Sequence, residues 1–168
     1  TPLFWKDISK EGITLHGKAA IQTTTSRIMQ VDLNSLSMQL LSAPFEGSPT
    51  APLLLEIPMP DGSTAHFRIV ETPVIPSALK QKYPGINTWA GQGVENHSAT
   101  IHLDITLWGF HAMILSPDGD VYIDPYNKLS KSIYQVYFKS SAVNKSSRSV
   151  CGFNSDDSEN VIAAQNIK

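Results

Sequence analysis

The stretch Ala99-Thr100-Ile101-His102-Leu103-Asp104-Ile105-Thr106-Leu107 alternates without a break. Ala99, Ile101, Leu103, Ile105 and Leu107 fall on one side, and Thr100, His102, Asp104 and Thr106 on the other. A period of two is that of a β-strand with one buried and one wetter face. It predicts a strand over 99–107 that buries Ile101, Leu103 and Ile105 in an antiparallel or mixed sheet.

Working outward, the chain carries the same punctuation on both sides of this strand. Leu53–Ile57 leads to Pro60-Asp61-Gly62-Ser63 and returns as His66–Val70, and Ala112–Leu115 leads to Pro117-Asp118-Gly119 and returns as Val121–Asp124. Proline presets the turn dihedral and glycine accepts positive φ, so both segments predict β-hairpins, over 51–71 and 109–124. Ile21–Ser26, rich in threonine, reads as a further strand. Asp32 can cap a short helix bearing Leu33, Leu36 and Leu40, and Pro76 can open a second over Ser77–Tyr83 that Pro84-Gly85 ends. Ile86–Gly93 reads as extended or looped. The expected class is α+β: an antiparallel or mixed sheet with hairpins and two or three short helices. After Phe138 serine, lysine, asparagine and arginine dominate, so residues 1–138 form the expected domain and 139–168 a flexible polar linker or tail.

Composition narrows the function classes. The 168 residues are 41% hydrophobic and 17% charged, with a net charge of -2, enough apolar material for a core but no basic surface for a polyanion. The late cations Lys128, Lys131, Lys139, Lys145 and Arg148 sit among serines without aromatic stacking platforms, so no nucleic-acid partner is expected. No apolar run approaches the roughly 20 residues of a transmembrane helix. The Thr1-Pro2-Leu3-Phe4-Trp5 start is compatible with the mature end left by signal-peptide removal. Cys151 is the one cysteine, which excludes a disulfide within the chain.

Chemistry has few places to reside. His102 and Asp104 share a strand face, and His111 and Asp124 fall on neighbouring strands, so pairing can gather the four into a polar surface cluster suited to acid–base or metal chemistry. Outward polar positions between buried apolar ones explain the same residues without a site. The chain has no His-Glu-x-x-His segment, no cysteine pair and no Gly-x-Ser-x-Gly, so neither a catalytic set nor a metal within this chain is expected. Gly91-Gln92-Gly93 lacks the third glycine of a dinucleotide fingerprint and reads as a turn. The aromatic residues suit a packed core with one aromatic-rich contact surface.

Several blocks resemble a known group. They include Leu40–Glu46, Leu55–Ser63, Phe67–Val74, Leu79–Gly93, Gly109–Ile114 and Tyr122–Tyr126, the most specific being the run ending Gly91-Gln92-Gly93 and the pair Gly109-Phe110-His111-Ala112 and Tyr122-Ile123-Asp124-Pro125-Tyr126. Over residues 5–138 the chain resembles the amino-terminal, propeptide-like region of secreted reprolysin-like (metzincin) zinc metallopeptidases of Bacteroidetes-type bacteria. The resemblance implies a non-catalytic prodomain of an exported precursor that keeps a downstream metallopeptidase latent or assists its folding. Zinc and the catalytic residues would belong to that downstream domain, the partner of this one. Arg148-Ser149-Val150-Cys151-Gly152-Phe153 is similar to the cysteine-switch segment of metzincin propeptides. By that likeness Cys151 is the zinc-directed thiol, Gly152 lets the chain approach the metal, and Arg148 or Asp156 braces the segment. The segment departs from the matrix-protease pattern, since arginine does not directly precede the cysteine and no Pro-Asp follows. Two other readings stay open: a stand-alone extracellular binding or adhesion module, and a metal-dependent enzyme built on His102, Asp104, His111 and Asp124.

Overall fold

In a computed structural model, residues 4–8, 17–72, 82, 85–128, 130 and 132–143 are described. The strand that the alternation predicts is present as β6 (Thr100–Thr106), with Ile101 and Leu103 buried, Ile105 half-buried and His102 exposed. Leu107 departs from the expectation: it leaves the strand and stands 91% exposed.

Both Pro-Asp-Gly hairpins form. β3 (Leu53–Pro58) returns as β4 (Thr64–Glu71), and β7 (Gly109–Leu115) returns as β8 (Val121–Pro125). Around them lie β1 (Trp5–Asp7), β2 (Arg27–Val31), β5 (Asn87–Gly93) and β9 (Ile133–Phe138). The nine strands make one sheet in the order β1-β2-β9-β8-β7-β6-β5-β4-β3, antiparallel at every strand pairing. From β2 the chain crosses through α1 (Leu33–Leu40) to the opposite edge, then meanders back strand by strand until β9 pairs with β2.

The expected α+β class is therefore corrected to a mostly-β one, a curled half-barrel with a single α-helix among the described residues. Length that the sequence reading left unassigned or looped is strand. β9 is largely apolar without alternation because both of its faces are covered, a pattern that periodicity does not separate from other buried segments. β5 carries two glycines, yet pairing on both sides overrides their weak strand propensity. Ile21–Ser26 is not a strand; it makes an isolated bridge at Thr23 to Ala142. The expected helix over Ser77–Tyr83 lies outside the described residues apart from Lys82, as does all of 144–168. Lys139–Ser141 is a 3-10 turn, after which Val143 donates its backbone N–H to the Gln22 carbonyl.

One cluster fills the concave side. It joins Trp5, Met29 and Val31 to Leu55, Phe67, Trp89, Leu103, Phe110, Ile123 and Tyr134, with Leu36 and Leu40 of α1 packed in from the crossover. Asp32 starts that helix by accepting from the Ser35 N–H, satisfying a donor the helix cannot pair internally. Curling follows from two features. Gly91 lies against β4, where a Cβ would stand 2.5 Å from the Arg68 carbonyl oxygen, so only glycine permits the close approach. Arg27 on β2 donates to the carbonyls of Met59 and Ser63 at the far edge of the sheet while its other nitrogens grip Asp7 of β1 at 2.6 Å. One guanidinium thus ties the two edges together at one end.

Candidate functional site on the convex face

Register brings the outward residues of β6, β7 and β8 into a row. Asp104 stands directly across from His111, and Ala112 across from Ile123, which aligns His111 with Asp124 on the same face. His111 Nδ1 is 2.8 Å from Asp124 Oδ1, and Tyr137 on β9 donates its hydroxyl to Asp124 Oδ2 at 2.7 Å. Tyr137 in turn stacks on Tyr122 with ring centroids 5.9 Å apart. Three of the four sequence-predicted cluster residues, Asp104, His111 and Asp124, thus become neighbours. His102 falls in the next row, opposite Met113.

The network favours a charged imidazole. The hydrogen bond to Asp124 raises His111 above its ordinary value, reinforced by the charges of Asp104 and Asp124 and opposed by partial burial. Burial raises Asp104, against the pull of His111. Burial, then the bond to Asp124, pushes the Tyr137 phenol far up, so it stays a donor. Among the described residues no three of histidine, cysteine, aspartate and glutamate come together as a metal site, and both Asp124 oxygens already accept hydrogen bonds.

Beside the row the β6–β7 hairpin turns at Leu107-Trp108, with Gly109 at φ 117° completing the turn. Trp108 is 71% exposed, and Lys128 Nζ lies 5.4 Å from the centre of its ring. Between this tip and the segment at Ala20 and Ile21 is a cavity of about 180 Å³, whose walls include Ile21, Trp108, Pro125, His111, Asp124 and Lys128. A larger cavity, about 250 Å³, opens near the β3–β4 turn, but its acids are already engaged: Asp61 with Ser63, and Glu95 with His66. The convex-face cavity keeps donors without a hydrogen-bond partner, His111 Nε2 and Lys128 Nζ.

Sequence reasoning found His111 and Asp124 but missed Tyr137, Trp108 and Lys128. The signal lay in the register, since pairing Asp124 with Gln135 sets Tyr122 beside Tyr137 on the outward face. Cys151, Arg148, Gly152 and Asp156 lie outside the described residues. No family model, curated protein or solved structure matches the chain.

Proposed function

We propose that this chain is the non-catalytic prodomain of a secreted zinc metallopeptidase precursor, keeping the catalytic domain latent, assisting its folding, or both. The observation that carries the reading is the β6–β7 tip. Hairpin turns ordinarily take Asn-Gly or Asp-Gly, whereas this one holds up Leu107 and Trp108, 91% and 71% exposed, on a rigid sheet. A large apolar pair held in water at the end of a hairpin is suited to burial against a partner. The sequence blocks that resemble metzincin propeptides flank it, Ile86–Gly93 largely on β5 and Gly109–Ala112 immediately after the tip. In this reading the zinc belongs to the partner, and Cys151 supplies the thiolate that displaces its attacking water.

The precursor holding this chain together with its catalytic domain tests the proposal. Intact precursor is expected to be silent toward peptide substrates and precursor lacking residues 1–168 to be active or misfolded. Cys151→Ser is expected to cleave prematurely, and equal latency in both forms would leave occlusion by the folded domain as the mechanism. The same tip suits a stand-alone binding or adhesion module. That reading prevails if the gene encodes no metzincin segment downstream.

A further inference from the structure

The cavity beside the convex-face row has a chemistry of its own, independent of the prodomain reading. Its walls are mostly apolar: Ile21, Pro125 and the Trp108 ring. Two cationic lining donors have no hydrogen-bond partner among the described residues. His111 spends Nδ1 on Asp124 and leaves Nε2 without a partner, and Lys128 contacts only the Trp108 ring. The lining carboxylate is spent, because Asp124 accepts from His111 on one oxygen and from Tyr137 on the other. Asp104 lies across β7 on the other side of His111, outside the cavity wall. The site therefore offers two cationic donors beside an aromatic and aliphatic wall, with both Asp124 oxygens already hydrogen-bonded.

We infer that this cavity binds a carboxylate borne on a compact apolar body, the carboxylate between His111 Nε2 and Lys128 Nζ and the body against Trp108, Pro125 and Ile21. A phosphate or sulfate fits less well, since the mostly apolar wall would strand part of its oxygens against carbon. At about 180 Å³ the cavity encloses a single ring or a branched aliphatic chain. Binding depends on the imidazolium. When His111 loses its proton, Nδ1–H stays with Asp124 and Nε2 presents a lone pair that repels the carboxylate. The charged or titratable groups around the ring are Asp104 on β6, Asp124 on β8, Tyr137 on β9 and Lys128 beyond β8. His111 is the histidine among them, so its proton sets the dependence near neutral pH.

Benzoate and benzamide titrated into the 168-residue chain, followed by the Trp108 indole resonance, test this. N-acetylphenylalanine and its amide form a second arm that represents a polypeptide carboxyl terminus. Benzoate or N-acetylphenylalanine is expected to bind in the millimolar range near pH 6, about tenfold more weakly near pH 8.5, with the neutral amides weaker by a similar factor. Response to benzoate alone assigns a free acid, and response to N-acetylphenylalanine alone a chain terminus. Lys128→Met, an exposed change that keeps the stem over Trp108, is expected to weaken binding about fivefold with an unaltered melting temperature. Equal binding of acid and amide, no pH dependence, or no saturable shift with any of the four compounds would overturn the assignment.

Discussion

Arg27 does more for the fold than its place on the second strand suggests. It is bonded at once to Asp7, Met59 and Ser63, so it joins the first strand of the sheet to the last. Arg27→Met keeps the stem and removes the fork, and chemical denaturation is expected to show a loss of about 2 kcal/mol. Asp7 is half-exposed, so Asp7→Asn is expected to cost below about 1 kcal/mol. The Tyr134 hydroxyl accepts from the Phe110 N–H in the core, beyond the end of the β7–β8 pairing at Ala112 and Ile123. Tyr134→Phe is expected to cost about 1–2 kcal/mol by stranding that donor, with the fold retained. His111 gives stability a pH slope. Its folded value is raised above 6.5, so its contribution is complete below that value and disappears as pH rises through the higher folded one. His66, held by Glu95 and partly exposed, acts with the same sign, whereas the lowered Asp7 contributes above its ordinary 3.8 and is lost in acid. The melting temperature is expected to fall between about pH 6 and 8. Asp124→Asn should flatten that slope without abolishing it, because His66 remains; an unchanged slope would remove His111 from the account.

At the scale of elements, β5 and the β6–β7 tip show where sequence patterning succeeds and where it stops. The alternation in β6 and the two Pro-Asp-Gly turns were legible because each is a local device with a local cause. β5 was not, because Asn87–Gly93 has little strand propensity and becomes a strand through neighbours on both sides. Gly91 is part of that dependence. Gly91→Ala would press a methyl on the Arg68 carbonyl and Ile69 Cδ1, and a loss of about 2–3 kcal/mol is expected in thermal or chemical unfolding. The candidate site was legible by half. His111 and Asp124 were visible as polar outward positions, but Tyr137 reaches Asp124 only because β9, a strand without alternation, closes the meander onto β2. Leu107 was read as the last residue of the strand because its parity continues that of β6, whereas the turn at Trp108 carries it out of the sheet.

Across the whole molecule, the meander sets the β2 strand next to the last strand and leaves one face packed by the helix crossover, the other carrying the polar row and the cavity. The fold presents the Leu107-Trp108 tip at the end of a hairpin anchored on both sides, so displacement of that tip on binding costs little ordering entropy. Leu107 and Trp108 contribute almost nothing to the core, so exchanging both for asparagine is expected to alter folding stability by no more than about 0.5 kcal/mol. That separation of contact from stability makes one measurement decisive. The purified chain and its Leu107→Asn/Trp108→Asn variant are added in trans to the mature catalytic domain of the proposed precursor, and peptide hydrolysis is followed against concentration. The account predicts saturable inhibition by the unaltered chain and at least about a tenfold rise in the inhibition constant for the variant. Full proteolytic rate at saturating chain, with no complex detected, would contradict it.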